Sequence, residues 1–461
     1  MTGGASSPDG RTIAVTSADS GTSPGDIVLL RSGDRTYLGQ VLEPPTTGSD
    51  GVERSTGLLV GAMRPDGTVD RSARAPFADA SVGPVAAETL EALQAAVGAT
   101  LPIGSWSPSG ATVPARLRPQ GFGRHTFLCG QSGSGKTYAL GVLLEQLLLG
   151  TDLRMVVLDP NADYVRLGTP RPDAPADLSE RLAATDVRVL AADGAGREGS
   201  EPLRMRFMTM PVAARAALLR LDPLRDRDEY NHFLHMSDSS ESVQGIDDLV
   251  RRMREQGGNG EALAQRIENL GLLDWEVWAG ERRSAWEVVE DGPRMTVLDL
   301  SGFRDPHEPV AASLDLVERL WQQREGRTPT LLVIDEAHNL CPARPAGPAQ
   351  AALVERLVQI AAEGRKYGLW LLLSTQRPSK IHPQVLSQCD NLLLMRMNSP
   401  GDLAELADVF GFAPPAMLRS SPFFVQGEVL AAGAFVPAPA VLRMGVRLTP
   451  EGGTDVAVPV P

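Results

Sequence analysis

The octapeptide Gly130-Gln131-Ser132-Gly133-Ser134-Gly135-Lys136-Thr137 constrains this 461-residue chain more than any other stretch. It matches GxxxxGK[ST] at every position, follows an apolar run at 124–130 and opens a helical run at 138–149. Strand, glycine-rich loop and helix in that order form a phosphate cradle. The glycines let backbone N–H groups curl around phosphate oxygens at the positive end of a helix. Gly130, Ser132, Gly133, Ser134, Gly135 and Tyr138 are therefore candidate nucleotide-binding residues. Lys136 is placed to reach the β- and γ-phosphates and Thr137 to offer a hydroxyl to Mg2+, so ATP and Mg2+ are the expected cofactors.

The chain around this loop reads as α/β. From residue 120 onward, single apolar strands alternate with helices, the signature of a parallel sheet. Strands are predicted at 124–130, 154–160, 294–301, 330–336, 369–375 and 391–397. A helical section at 205–289, broken at Gly257-Gly258-Asn259-Gly260, reads as an insertion into that domain. The first part of the chain reads as β. Runs at 26–31 and 36–43 flank the hairpin turn Ser32-Gly33-Asp34-Arg35, and 57–63 runs into Arg64-Pro65-Asp66-Gly67. Short strands at this spacing predict a small β-barrel, then a helix near 86–97 and a Pro/Gly/Ser-rich connector at 101–119. The expected division is an N-terminal barrel plus connector at 1–112, an ATPase core at 113–204 and 290–445, the helical insertion at 205–289, and a loose tail at 446–461.

A second chemical signal is Leu331-Leu332-Val333-Ile334-Asp335-Glu336, an apolar strand ending in two carboxylates. Such an ending places them at the sheet edge where ligands of open α/β folds sit. Asp335 fits a Mg2+-holding aspartate and Glu336 a general base acting on the attacking water; the plain alternative is a solvated acidic turn. The predicted strand at 369–375 ends in Thr375 and Gln376. They suit a polar tip that senses the γ-phosphate, and equally an ordinary strand-end turn. Arg365 and Lys366 follow a predicted helix, either as solvated charges favoured by the helix dipole or, for Arg365, as an arginine finger. Arg124 is a second cationic candidate. His338 reads as a structural hydrogen-bonder.

Several classes are disfavoured. No apolar run approaches the roughly 18 residues of a membrane span, and the first residues lack the basic and apolar regions of a signal peptide. Cys129, Cys341 and Cys389 have no metal-type spacing, so buried thiols in a reducing cytoplasm are expected. The net charge of −13 argues against a surface coated in nucleic acid. It leaves room for DNA in a narrow channel, where local fields decide. Asp335-Glu336-Ala337-His338 spells the tag of a helicase superfamily whose arginine-rich motif is missing here.

Taken together, the motifs resemble the HerA/FtsK superfamily of ring-forming ATPases, and HerA-like members most closely. The resemblance rests on RHTFLCGQSGSGKT, VVLDPNADY (156–164), TVLDLSGF (296–303) and LLVIDEAHNL (331–340). Its longest part is the stretch at 363–397, EGRKYGLWLLLSTQRPSKIHPQVLSQCDNLLLMRM. It implies a RecA-like (ASCE) P-loop ATPase domain with a helical insertion behind an N-terminal barrel of the HAS-barrel type. It implies a homo-oligomer, typically a hexamer, that hydrolyses ATP between subunits and moves double-stranded DNA, with a nuclease or antiphage effector as partner. Carried onto this chain, Gln376 would be the sensor, with Arg365 and Arg124 contributed in trans. Residues 427–444 would be an arm bracing a neighbour. Asp163 falls where the family has an acidic residue, but Ala162 stands where it has glycine, which leaves the role of Asp163 open. Two rivals stay open: a conjugation or secretion ATPase of the same superfamily, and a nucleotide-gated oligomeric scaffold that activates an effector with little translocation.

Overall fold

The computed structural model describes residues 4–16, 22–47, 52–195, 197, 199–238 and 245–453. The chain forms two compact units. The first draws on Met1–Thr151, Gln376–Ser379 and Cys389–Leu448, and the second on Asp152–Thr375, Lys380–Gln388 and Thr449–Pro461.

In the first unit, six antiparallel strands close into a barrel. Their order is Thr12–Thr16, Gly4–Ser7, Phe77–Gly83, Ile27–Ser32, Arg35–Val41 and Glu53–Met63, and the last pairs back onto the first. Alternate side chains turn inward, so Ile13, Val15, Leu30, Tyr37 and Leu59 share one core. At the hairpin turn Ser32 pairs with Arg35, leaving a two-residue loop with Gly33 at φ +59°. Tight hairpins need that left-handed conformation.

The stretch expected as a connector departs from the sequence reading. It holds two antiparallel strands, Leu101–Trp106 and Val113–Leu117. Val113, Ala115 and Leu117 alternate inward on one, and Leu101 and Ile103 on the other, where Trp106 is buried after a break in the alternation. A period-2 apolar pattern outweighed loop-forming composition. From Leu101–Trp106 the pairing continues through Ala440–Met444, Glu428–Gly433 and Cys389–Leu394 to His125–Cys129, parallel only at the last step. The segment implied to be an arm is thus a hairpin of this sheet. Val429, Leu430, Ala431 and Ala432 are buried, and such a continuous apolar run needs cover on both faces. The expected tail also begins later than 446, because Arg447, Leu448 and Thr449 are buried.

The second unit holds six parallel strands. Their order is Leu369–Thr375, Thr330–Ile334, Arg154–Asp159, Met295–Asp299, Val187–Ala191 and Glu201–Pro202. Thr330–Ile334 and Met295–Asp299 are buried along their whole length. Val187–Ala191 escapes the sequence reading because Arg188 interrupts its apolar run. Residues 205–289 are mostly helical, with Val212–Leu218, Arg227–Asp238, Ile246–Gln256, Asn259–Asn269 and Ala285–Glu290. Register is what matters for chemistry: Leu158 pairs with Ile334, and Ile334 with Leu373. Asp159, Asp335 and the Ser374-Thr375 tip therefore emerge side by side at the strands' C-terminal ends.

No helix among the described residues is long and apolar enough to cross a membrane. The three cysteines are buried and form no disulfide.

Candidate active site

The phosphate loop lies in the first unit. The strand His125–Cys129 is buried throughout, and the helix Lys136–Gly150 begins at the end of the loop. Gly133 and Gly135 sit at φ +73° and +93°, which side chains with a Cβ adopt only with strain. At Gly130 a Cβ would lie 2.7 Å from Ser134 Oγ and 2.8 Å from Met395 Cβ. The loop's shape is imposed from outside it. Gln131 N donates to Arg396 O at 2.9 Å, Arg396 Nη2 to Gly133 O at 3.1 Å, Asn398 N to Gln131 Oε1 at 3.2 Å and Gly427 N to Ser134 O at 3.2 Å. Lys136 is 5% exposed and Ser134 fully buried, its Oγ without a hydrogen-bond partner. A partnerless buried hydroxyl, two left-handed glycines and the start of a 15-residue helix fit a bound polyphosphate. Ser132 and Gly133 are exposed, and Thr137 is half-buried in the first helical turn. Tyr138 is engaged otherwise, its Oη accepting from Arg447 N at 2.7 Å.

The acidic residues lie in the second unit. Asp335 is fully buried and accepts from Tyr164 Oη at 3.3 Å. Tyr164 is held by Asp159, whose carboxylate accepts from Tyr164 N at 2.8 Å, Asp163 N at 3.0 Å and Asn161 N at 3.3 Å. Burial nevertheless pushes the Asp159 carboxyl up to about 7, overriding those donors, with Asp335 and Asp163 adding like charge. In this turn Ala162 sits at φ +62°, where a glycine carries no Cβ penalty.

Glu336 is also left-handed, at φ +42° and ψ +48°, a conformation costing a non-glycine residue about 1–3 kcal/mol. The turn is closed by Asn339 N on Glu336 O at 2.8 Å and Cys341 N on Ala337 O at 2.7 Å. Within it, His338 Nδ1 lies 3.2 Å from Glu336 Oε2 and 3.0 Å from Thr375 Oγ1. Asp335, Glu336, His338 and Thr375 thus form one buried constellation at the strand ends.

The two predicted arginines stand away from their own units' strand tips. Gln376 is half-buried, just after Thr375. Arg365 is half-buried in the turn Gly364–Tyr367, before the seven-residue strand Leu369–Thr375. That is the opposite sheet edge from Asp335 and Glu336, roughly 20 Å away along the strand. Arg124 likewise precedes His125–Cys129, at the far end from the phosphate loop that strand delivers. It forms an ion pair with Asp390 at 3.4 Å, both side chains about half exposed (50% and 46%).

Sequence reasoning missed Asp159 and Tyr164. Their signal stood inside VVLDPNADY, in which Asp163 occupies the acidic position of the family's motif. It also missed the braces from Gln131, Arg396 and Asn398, which no local pattern announces.

Comparison with known proteins covers most of the chain. Residues 101–275 match the family described as Helicase HerA, central domain, and residues 285–397 the ATPase family associated with various cellular activities (AAA). Among curated relatives, the chain is 22% identical over 72% of its length to the protein named Probable helicase MJECL08 of Methanocaldococcus jannaschii, covering 68% of it. It is 23% identical over 70% of its length to the DNA double-strand break repair helicase HerA of Pyrococcus furiosus, covering 65% of it. The chain thus spans about two thirds of these relatives. Among solved structures, VirB4 of Thermoanaerobacter pseudethanolicus shares the fold with a TM-score of 0.52 at 15% identity, covering 76% of this chain and 97% of its own. The bacterial conjugative coupling protein TrwBΔN70 does so with a TM-score of 0.50 at 13% identity, covering 79% and 93%. With a closed barrel, a P-loop sheet and these matches, the chain is similar to HerA-like ATPases over most of its length, which supports an ATPase of the helicase and translocase kind.

Proposed function

We propose that this chain works in the cytoplasm as a ring, on the superfamily pattern a hexamer, that hydrolyses ATP and moves double-stranded DNA for a nuclease or antiphage effector. Lys136 and the loop from Gly130 to Gly135 hold the phosphates, with Thr137 and Asp335 as the Mg2+ ligands. When bound, Mg2+ offsets phosphate charge. Glu336 takes a proton from the attacking water, and Gln376 orients that water. Arg365, with Arg124, is supplied to a neighbouring copy.

The observation that carries this reading is the placement of the two arginines. Each stands roughly 20 Å along a strand from its own unit's candidate chemistry. That is beyond a side chain's reach, so their use in hydrolysis requires a second copy. The relatives' names, DNA double-strand break repair helicase among them, supply the substrate class.

The test is ATP hydrolysis with and without linear double-stranded DNA across a salt series, beside Glu336→Gln. DNA stimulation that fades as salt rises and is lost in the variant supports a translocase. A rate indifferent to DNA at every salt concentration overturns it in favour of an oligomeric scaffold that gates an effector.

A further inference from the structure

Two consecutive phenylalanines near the phosphate loop face opposite ways. Phe424 is buried, whereas Phe423 is 85% exposed and Val425, on the other side of Phe424, is 50% exposed. They belong to an arch at 421–427 that is pinned at both ends beside the loop. At its start, the fully buried Ser421 Oγ accepts from Met397 N at 2.9 Å and donates to Met395 O at 3.1 Å. At its end, Gly427 N donates to Ser134 O at 3.2 Å. Between them, Phe424 N donates to Ser421 O at 3.1 Å and Val425 N to Glu428 Oε2 at 2.9 Å, so the course of the arch is fixed.

The arch also lies against the loop itself. A Cβ on Gly135 would come 3.5 Å from Gly427 N and 3.6 Å from Gln426 Cγ. Strand directions explain the meeting. His125–Cys129 and Cys389–Leu394 are parallel neighbours, so the phosphate loop and the residues after Leu394 leave the sheet at one edge. Glu428–Gly433 runs antiparallel to Cys389–Leu394, so the arch enters the sheet at that same edge. Phe423 is four residues from Gly427, at most about 14 Å of chain. That span is comparable with the length of a nucleotide.

We infer that Phe423, flanked by Val425, is the platform on which the base of the nucleotide stacks, given that the loop from Gly130 to Gly135 and Lys136 hold its phosphates. The loop's donors and Lys136 satisfy the phosphates and offer nothing to the flat face of the base. An exposed aromatic ring beside the loop offers that face a partner. The arch is held by its own hydrogen bonds, so stacking orders little beyond the two torsions of one ring. Two apolar side chains on a short arch match one base better than a contact between proteins, which buries about 800 Å2 on each partner. Because every base has a π-face, the platform adds affinity without selecting adenine over guanine.

The test compares two probes on the full chain, ADP and inorganic pyrophosphate, the second carrying the same phosphates without a base. In Phe423→Ala, ADP affinity by isothermal titration should fall on the order of tenfold, with pyrophosphate affinity unchanged within about twofold. Phe423→Tyr should restore it. Phe423→Trp adds an indole whose fluorescence ADP should quench and pyrophosphate should not. An ADP affinity equal to the parent's in Phe423→Ala, or equal losses for both probes, overturns the inference. So does a Phe423→Ala chain whose subunit association weakens while its ADP affinity holds, since the ring would then serve a contact between copies. Should Phe423→Ala fail to fold, the Phe423→Trp signal decides alone. If the parent chain binds neither probe, or Lys136→Ala binds both as tightly as the parent, the reading of the phosphate loop falls and the platform with it. If the parent binds both and Lys136→Ala neither, while Phe423→Ala matches the parent, only the platform falls.

Discussion

Lys136 is one of three lysines among 44 basic residues, and it is buried at the start of the P-loop helix. In a chain that otherwise uses arginine for positive charge, a compact ammonium at that place suits a point contact with phosphate better than a planar fork does. Lys136→Ala should therefore abolish detectable nucleotide binding while leaving the thermal midpoint without nucleotide nearly unchanged; isothermal titration beside thermal unfolding checks both. Asp159 makes a prediction about pH. Burial raises its folded-state value to about 7 from an ordinary 3.8. The folded chain therefore holds a proton that the unfolded chain releases. The stability this contributes is fully present below about 4 and is lost as pH rises towards 7. Asp159→Asn removes that dependence. In the absence of nucleotide and metal, the stability difference between parent and variant should shift against the parent between pH 4 and 7, as denaturant unfolding at several pH values would show. A flat difference would mean that the carboxylate stays ionised. At this scale, residues defined by local spacing were legible: the loop glycines, Lys136, Thr137, and the Asp335-Glu336 pair ending an apolar strand. Asp159, Tyr164 and the link from His338 to Thr375 were not. Their partners lie far apart in sequence, and only strand register brings Leu158, Ile334 and Leu373 level.

Among the elements, the six predicted α/β strands are all present, because a strand buried on both faces is an unbroken apolar run that few loops imitate. The strands at 101–106 and 113–117 were hidden by proline, glycine and serine, residues that usually mark turns. The hairpin Glu428–Gly433 and Ala440–Met444 was obscured by its resemblance to an arm. The segment after it was obscured by composition, since nothing in TPEGG suggests that the residues just before it are anchored. Arg447 is fully buried, its Nε 3.7 Å from an equally buried Glu145 Oε1 on the P-loop helix. Leu448 N donates to the same carboxylate at 2.8 Å. Gly141 makes room for the guanidinium, since a Cβ there would lie 2.4 Å from Arg447 Nε. Removing one partner strands the other charge, which typically costs about 3–5 kcal/mol, whereas an apolar pair of similar volume is often neutral. Glu145→Ala should lower the unfolding free energy by that amount, and Glu145→Leu with Arg447→Met should recover most of it. Urea titration of the three chains decides. Equal losses in the two variants would mean that the ion pair contributes little and that packing holds the segment.

For the whole molecule, a net charge of −13 says little about DNA, because the pore of the proposed ring would present only a small part of its surface. The more informative feature is directional. Each copy carries Arg365 at the sheet edge opposite its own Asp335 and Glu336. A head-to-tail contact that delivers this arginine to a neighbour's acidic edge joins two different surfaces, and such a contact gives a ring where the rotation between copies closes. This arrangement has a quantitative consequence. Lys136→Ala removes the phosphate grip but keeps the arginine, and Arg365→Ala does the reverse, so each alone should be nearly inactive. Mixed in equal amounts and allowed to exchange subunits, they regenerate a complete site wherever an intact loop meets an intact arginine. Random assembly makes that roughly a quarter of all interfaces. Recovery of about that fraction of parental ATP turnover would establish that sites are shared. No recovery at any ratio, with exchange verified by labelled subunits, would place Arg365 outside the hydrolysis reaction, as a helix-end charge. DNA dependence in the mixture adds a further distinction. Neutralising six or more phosphates makes affinity fall about a thousandfold or more between 50 and 200 mM salt. A translocase should therefore lose its DNA-stimulated share of the recovered turnover across that range and keep the basal share, because the shared site depends on contacts between protein subunits and the DNA grip depends on released counterions.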